Sequence, residues 1–416
     1  MTKLKAYNVA VILLCCFAAT GFAAVDKEPH EFDYLTRARY AVLKEGLGQA
    51  KTGSVLLRGA INSSWTDQFS TLLEIDYVET FGDDQYNDLV LVVDNPAIPD
   101  VPGLELNQAQ LAFQWSTFAL RGGRQRLLFD DQRMIGSNGF WQNDQTFDSI
   151  FAQWDFFSNS HLSQTYIANA NRIFGDDAGE TFAPSDIAYE QFNGQRPRAL
   201  WGDHQHNTWL TRLELNEWDY SQWVAYAYLI DNKDLPEVSN DTFGGIYNFR
   251  YKQGNIKYRL RLEFASQERT TLPTKPVHNY FVAEGGLGFD SLEVGVRHEV
   301  LTSKDNSSFV TVLGSDHDFN GWADVFLTSG LQDGLVDDSI RLDWRLAPWR
   351  LQVRYHFFQA ESVAQTFGEE LDFDINFKPS PQHTFSVRFA DFKVEESASS
   401  VFRDERKVFF DYTFSK

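Results

Sequence analysis

The residues best suited to chemistry in this sequence are arginines that alternate with apolar side chains. In the segment Arg341–Phe357, the polar positions include Arg341, Arg345 and Arg354, and the positions between them are mostly leucine, valine and aromatic residues. A guanidinium group stays charged at any physiological pH and binds a carboxylate or phosphate through two parallel hydrogen bonds. A row of arginines on one face therefore predicts a surface that attracts acids.

Other segments place arginine on the same polar face when they are phased by their apolar residues. We predict that the following face a common interior and contact an anionic solute: Arg37, Arg39, Arg58, Arg212, Arg261, Arg345 and Arg354. Carboxylates such as Glu74, Asp76, Glu263 and Glu299 share that face. The alternative is therefore a cross-strand ladder of ion pairs that only holds a wall together, and the sequence leaves both interpretations open for each arginine.

The elements that position these side chains are β-strands, because successive residues of a strand point to opposite faces. About 18 segments have this alternation, and they are separated by turn residues. The predicted strands are 33–43, 53–62, 69–80, 104–114, 117–124, 146–155, 162–172, 206–216, 219–230, 242–251, 254–265, 276–286, 289–300, 338–346, 349–360, 368–377, 382–394 and 405–415.

The connections between these strands alternate between long and short. Connections 81–103, 125–145, 173–205 and 301–337 are long, whereas Ala347-Pro348 is one of the tight turns that fall between them. No apolar run is long enough for a membrane helix, which needs about 18 residues or more, so only a closed barrel could cross a bilayer. We predict an all-β fold, a transmembrane antiparallel β-barrel of about 18 strands with long outer loops and short periplasmic turns.

The N-terminus predicts export from the cytoplasm. Residues 1–23 combine two lysines, a short apolar stretch and a Gly21-Phe22-Ala23 cleavage site, which are the features of a signal peptide. Both cysteines lie inside it, so the mature chain, 24–416, forms no disulfide. We expect one barrel domain in the outer membrane of a Gram-negative bacterium, in contact with outer-membrane lipid and lipopolysaccharide and inserted by the barrel-assembly machinery.

Other classes of function find little support in the sequence. The formal net charge of −21 argues against nucleic acid as a partner. His204 and His206 could present two imidazoles on one face, but no third ligand accompanies them, so we predict no metal site and no cofactor. No serine-nucleophile elbow, phosphate loop or zinc-protease motif is present, which predicts that the protein is not an enzyme.

Two groups of motifs resemble the alginate-export family of outer-membrane barrels. The first begins with ELNQAQL at 105–111 and continues with GRQRL at 123–127, WQN at 141–143 and QTFD at 145–148. The second is HDFNGWADVFLT at 317–328, followed by GLQD at 330–333. The order and spacing of these segments extend the resemblance over most of the mature chain.

The resemblance implies a monomeric 18-stranded channel that exports an acidic, alginate-like polysaccharide through an arginine-lined constriction. Both motif groups fall on long outer connections, and loops of this kind can fold into the lumen, so the resemblance also makes Arg124, Arg133 and Arg172 candidate constriction residues. The alternative for these three is that they form salt bridges within the folded loops. An anionic saccharide would then be the partner in the lumen. The alternative is a general or nutrient-uptake porin for small acids or sugars, in which the arginines are mainly structural.

The orientation of Arg124 needs a special prediction. The apolar residues Phe118 and Leu120 would place Arg124 on the lipid face of its strand, which costs up to about 2–4 kcal/mol at the middle of a bilayer. Glycine within a strand often marks a bulge. We therefore predict a bulge at Gly122-Gly123 that turns Arg124 inward, toward Asp131 or the solute path.

Overall fold

The computed structural model describes residues 29–82, 86–93, 95–327 and 331–416. The predicted signal peptide, 1–23, lies outside the described residues, as does the short stretch 328–330 of the second motif. Among the described residues, no helix is both long enough and apolar enough to cross a membrane.

Eighteen strands form one sheet in the described part of the chain. In chain order, they are β1 His30–Glu45, β2 Gly48–Ser64, β3 Phe69–Phe81, β4 Gly103–Gln114, β5 Phe118–Gln125, β6 Thr146–Phe156, β7 Ser160–Asn171, β8 Asp203–Trp218, β9 Ser221–Ile230, β10 Asn240–Gln253, β11 Ile256–Glu268, β12 Val277–Phe289, β13 Leu292–Leu301, β14 Leu335–Leu346, β15 Trp349–Gln359, β16 Thr366–Ser380, β17 His383–Val394 and β18 Glu405–Ser415.

Each strand pairs antiparallel with the next, and β18 pairs antiparallel with β1, so the sheet closes on itself. The closing pair runs from Leu35 opposite Ser415 to Glu45 opposite Glu405. A closed barrel has no unpaired strand edge. The predicted 18-stranded antiparallel β-barrel is thus confirmed, and the predicted strand ends are off by only a few residues.

The alternation of side chains separates an apolar exterior from a polar interior. On β14, Ile340 is 53 % exposed and Leu346 is 55 % exposed, whereas Asp337 and Asp343 on the opposite face are 1 % and 4 % exposed. A barrel in water would bury its apolar face, so large exposed apolar side chains on the outside fit contact with lipid.

The two ends of the barrel differ in the length of their connections. At one end the strands are joined by turns as short as Ala347-Pro348. At the other end lie the segments 82–102, 126–145, 172–202 and 302–334. The exception is the β1–β2 hairpin at this long-loop end, which has only Gly46 and Leu47 between its strands.

The long loops pack inside the barrel and do not simply extend away from it. Leu127 and Ile135 from one loop, and Trp322 and Phe326 from another, belong to a buried cluster that also contains inward-facing strand residues such as Phe358. The core of this molecule is therefore made by loops against the inner wall, toward the long-loop end.

Candidate solute pathway

Arg133 joins the two loops that narrow the lumen. It lies in loop 126–145, and its side chain is 1 % exposed. Its Nε donates to Glu299 of β13 at 2.9 Å, and its Nη2 donates to Asn320 of loop 302–334 at 2.5 Å. Burial alone would lower the pKa of this guanidinium, but Glu299 outweighs burial and the pKa is raised. Arg133 therefore links loop 126–145 both to loop 302–334 and to strand β13 of the barrel wall.

Two glycines allow these loops to approach closely. A Cβ atom on Gly314 would lie 2.1 Å from the carbonyl oxygen of Arg133, and a Cβ atom on Gly136 would lie 2.3 Å from Oγ of Ser315. The backbone N–H of Gly136 donates to Leu313 at 2.8 Å. Any larger residue at either glycine would push the loops apart.

Loop 302–334 is also fixed to strands on the other side of the lumen. The backbone N–H of Ala323 donates to Glu370 at 2.7 Å, and that of Trp322 donates to Asp372 at 3.4 Å. Asp324 accepts a bond from Lys407 at 2.9 Å. Three successive loop residues are thus held by β16 and β18.

A buried histidine completes the attachment of this loop. His317 stacks on Phe140, with ring centroids 3.7 Å apart, and its Nδ1 lies 2.8 Å from Asp324. Burial lowers the pKa of His317 below its usual value, although the nearby Asp324 opposes that shift. Protonation of the imidazole is therefore disfavoured where the loop is docked.

A dense group of charges lies where loop 126–145 meets β2 and β3. Arg58 binds Asp76 through two bonds of 2.8 and 2.6 Å and contacts Asp144 at 3.0 Å. Arg126 binds the same Asp144 at 2.5 Å and also pairs with Glu74. Burial would raise the pKa of Asp144, but Arg58 and Arg126 outweigh burial and hold it below its usual value.

Most of the other predicted arginines also have carboxylate partners. Arg39 binds Asp411 at 2.7 Å and Asp100 at 3.3 Å, Arg212 binds Asp130 at 2.6 Å and Glu214 at 2.5 Å, Arg261 binds Asp131 at 3.2 Å and Glu263 at 2.5 Å, and Arg345 binds Asp343 at 2.8 Å. The predicted ladder of ion pairs is thus the arrangement around these four residues, and Asp130 and Asp131 bring loop 126–145 into it.

The prediction for Arg124 is wrong in its geometry. The register of β5 with β4 and with β6 is continuous through Gly122-Gly123, so no bulge lies there. Arg124 binds Asp148 at 2.8 and 3.2 Å, not Asp131. It lies directly opposite Asp148, and this paired carboxylate, not a change of face, offsets its charge.

Gly123 has a different role from the predicted one. Its φ is +121°, and a Cβ atom there would lie 2.2 Å from the carbonyl oxygen of Ala109. The glycine therefore permits close contact between β4 and β5. The register shifts nearby occur between β3 and β4 and between β6 and β7.

Three of the ten predicted arginines form no ion pair within 4 Å in the described part of the chain. Arg37 donates to Gln142 at 2.8 Å and to backbone carbonyls of loop 126–145. Arg172 donates to the Ala199 carbonyl at 2.5 Å, and burial lowers its pKa to about 10. Arg354 reaches only the Asp318 carbonyl, at 3.2 Å. The arginines do not converge on a single ring.

A track of like charges follows the inner wall toward the short-turn end. Four pairs of cations lie directly opposite each other across neighbouring described strands and face the lumen. They are Arg341 with Arg354, Arg345 with Arg350, Arg250 with Arg259, and Lys252 with Lys257. Like charges directly opposite in a sheet destabilise it, so their repetition calls for a reason other than stability. We call these eight residues the basic track.

Carboxylates neutralise the basic track only in part. Glu293 contacts Arg259 at 3.3 Å and Arg341 at 3.2 Å. No carboxylate lies within 4 Å of Arg250, Lys252 or Lys257 among the residues that the structure describes. These three cations face the lumen near its short-turn mouth and are free to meet a passing anion.

Two cavities lie along the basic track. One, of about 250 Å³, is lined by Arg297, Arg341 and Arg354 together with Asp131 and Glu284. The other, of about 240 Å³, is lined by Lys257, Arg259 and Arg345 together with Glu293 and Asp343. A larger cavity of about 760 Å³ lies among the long loops, beside Arg172, His204 and His206.

The sequence-based prediction missed the aromatic rings that face these cations. Arg354 lies 5.0 Å from the centre of the Trp322 ring, and Arg388 lies between Trp322 at 4.4 Å and Phe140 at 4.6 Å. Such a contact leaves the charge of Arg354 in place, whereas Arg388 also binds Asp374 at 3.2 Å. Trp322 lies within the 317–328 motif, but its position in the lumen depends on how the loop folds.

No family model and no curated protein matches this sequence, whereas many solved structures share its fold. OccAB4 from Acinetobacter baumannii is 9 % identical with a TM-score of 0.68, and the match covers 94 % of this chain and 99 % of OccAB4. The outer membrane protein OpdK from Pseudomonas aeruginosa is 10 % identical with a TM-score of 0.67, and that match covers 93 % and 98 %. A structure of OpdK with vanillate is 10 % identical with a TM-score of 0.66, and the match again covers 93 % of this chain and 98 % of OpdK.

This likeness shows the fold alone. The barrel is that of 18-stranded outer-membrane porins, which agrees with the predicted location in the outer membrane. The comparisons do not support the alginate-export family. The interpretation that followed from that resemblance, export of an acidic polysaccharide, therefore has no finding behind it.

Proposed function

We propose that this protein is an outer-membrane channel that admits small organic acids, guided by the basic track. The observation that carries the proposal is that Arg250, Lys252 and Lys257 face the lumen with no carboxylate within 4 Å in the described chain, two of them directly opposite each other. Cations in a low-dielectric cleft focus potential and raise the local concentration of anions.

The folded loops favour a small solute over a polymer. Trp322 and Arg133 are almost fully buried within the barrel, so loops 126–145 and 302–334 occupy much of its cross-section. The cavities of about 250 and 240 Å³ along the track are slightly below the roughly 300–1,000 Å³ typical of small-molecule pockets. Vanillate, the compound in the OpdK structure, gives a guide to the size and charge of a suitable solute.

Planar-bilayer recordings test this proposal. Under a potassium chloride gradient, the reversal potential should show that chloride is more permeant than potassium. Vanillate added to one side should lower the chloride current, whereas an uncharged analogue of the same size should not. Preference for potassium would refute the proposal, and block by uronate oligomers but not by vanillate would favour a polysaccharide path instead.

A further inference from the structure

The outer surface of the barrel has an uneven distribution of charge at the long-loop end. Outward-facing cations occur on four neighbouring strands, β17, β18, β1 and β2: they are Lys393, Arg406, Lys44 and Lys51. We call these four residues the basic rim. On the other described strands, the outward-facing charged residues near the long-loop end are mainly acids, including Glu79, Asp203, Asp241, Asp338 and Glu369. The one arginine among them, Arg124, is paired with Asp148.

The cations of the basic rim lie close together. Arg406 is directly opposite Lys44 on one side, and Gln49 is opposite Lys44 on the other. Lys51 is two residues along from Gln49 and is therefore a diagonal neighbour of Lys44. Directly opposite Cβ atoms in a sheet are about 4.5–5.5 Å apart, and diagonal neighbours are within about 8 Å. A single anionic group could therefore contact Lys44 and Arg406 together, with Lys51 within reach.

Carboxylates do not neutralise this group fully. Arg406 binds Asp391 through two bonds of 3.0 Å, and Lys393 binds Asp404 at 2.9 Å. No carboxylate lies within 4 Å of Lys44 or Lys51 among the described residues. The rim keeps a net positive charge in a chain whose formal net charge is −21.

The position of the rim relative to the apolar band points to lipid. Beyond Val42 and Val408, on the same outward face, come Tyr40, which is 46 % exposed, and Phe410, which is 48 % exposed. These two aromatic residues are opposite each other on β1 and β18. The cations thus lie where acyl chains end and head groups begin, a depth at which lysine and arginine extend toward the head groups.

We propose that the basic rim binds a phosphate of lipopolysaccharide, the phosphorylated lipid of the leaflet at the long-loop end. The phosphate lies between Lys44 and Arg406, with Lys51 beside them. Arg406 binds Asp391 through Nε and Nη2, and its Nη1 remains to donate to a phosphate oxygen. The acyl chains of the same lipid lie along Tyr40 and Phe410. This inference rests on the outer-membrane location and not on which solute the channel admits.

The test compares two probes and two variants of the full-length protein. Native mass spectrometry of the detergent-solubilised barrel measures binding of bisphosphorylated lipid A and of dephosphorylated lipid A. The rim variant carries Lys44→Gln and Arg406→Gln. The control variant carries Lys233→Gln and Lys304→Gln, which removes the same charge from exposed loop positions at the same end.

We expect the wild-type barrel and the control to bind bisphosphorylated lipid A on the order of tenfold or more tightly than the rim variant does. Dephosphorylated lipid A should bind all three equally weakly. Heat-modifiable gel migration checks that the rim variant is folded, as expected because exposed ion pairs contribute about 1 kcal/mol or less. Equal binding of bisphosphorylated lipid A by the folded rim variant and the wild type would overturn the proposal, whatever the bilayer recordings show.

Discussion

Arg133 of loop 126–145 donates to Glu299 of β13 at 2.9 Å, and both side chains are 1 % exposed. This pair holds a loop against the inner wall of the barrel. If Arg133 is removed, Glu299 keeps Arg297 at 3.5 Å and hydrogen bonds from Tyr280 and Asn320, so its charge stays partly compensated. The loss of one hydrogen-bonded charged partner typically costs about 1–3 kcal/mol. The pair therefore determines how firmly the lumen is narrowed.

Replacing Arg133 with methionine should release the loops while the barrel remains closed. We expect the opening free energy of loops 126–145 and 302–334, measured by hydrogen exchange, to fall by about 1–3 kcal/mol, because Glu299 keeps its other partners. As a control, Arg345→Met removes a half-exposed partner of Asp343. This variant should change the opening free energy of the two loops by about 1 kcal/mol or less. Equal protection in the two variants would contradict this role for Arg133.

Replacing Gly314 with alanine should widen the channel. The added Cβ atom would lie 2.1 Å from the Arg133 carbonyl oxygen, so the two loops could not keep their contact. We expect larger and noisier single-channel currents, with normal heat-modifiable migration on gels. Gly179→Ala is the matched control, because nothing lies within 4 Å of its Cβ position and its currents should equal those of the wild type.

Neutralising the exposed part of the basic track should reduce anion preference. Arg250→Gln with Lys252→Gln removes two lumen cations that have no carboxylate within 4 Å in the described chain. The reversal potential in a salt gradient should shift toward that of a nonselective pore, and stability should change by no more than about 0.5 kcal/mol. An unchanged reversal potential would show that these cations do not guide permeating ions.

Arg124→Gln, in contrast, should leave selectivity as it is. Arg124 is paired with Asp148 through two bonds and lies at the outer end of β5, away from the basic track. The same reversal-potential measurement checks this expectation. If Arg124→Gln reduced anion preference as much as Arg250→Gln with Lys252→Gln does, Arg124 would have to lie on the solute path.

Acidification should weaken the docking of loop 302–334. Burial lowers the pKa of His317, so the docked loop binds a proton more weakly than the released loop does, and protonation favours release. Docking is therefore strongest above about pH 6.5, the usual pKa of histidine. It weakens as the pH falls below that value. The pKa of Asp324 is also lowered, mainly by His317 and Lys407 against the effect of burial, so it does not titrate in that range.

Hydrogen exchange of residues 302–327 at pH 7.5 and pH 5.5, corrected for the intrinsic rate, measures this dependence. Protection in the wild type should be lower at pH 5.5, and His317→Gln should remove most of the difference. A pH-independent wild type would rule out His317 as the titrating group.

The strands could be predicted from sequence because their pattern is local. Ile340, Leu342 and Trp344 alternate with Arg341 and Asp343, and this alone assigns each side chain to a face. The apolar residues occupy even positions up to Leu346 and odd positions from Trp349 onward, and this switch predicts the turn at Ala347-Pro348. Lipid outside and water inside impose this alternation on every strand, so the count of 18 was accessible without any knowledge of contacts.

The loops and the partners of the arginines could not be predicted in this way. Arg133 meets Glu299, which is 166 positions further along the chain, and Arg39 meets Asp411 at a separation of 372. No local pattern encodes such pairs. Arg124 shows the limit within a strand as well, because the sequence does not reveal that Asp148 lies opposite it.

The seam between β1 and β18 also governs how the molecule can form. Its two strands are the first and the last of the eighteen described strands, so the barrel cannot close until β18 has been made and delivered. Until then, β1 presents an unpaired edge, which lipid does not tolerate. We therefore expect any membrane-inserted precursor to need its open edges shielded, and we expect loss of β18, residues 405–415, to leave a chain with all its other strands but no stable membrane form.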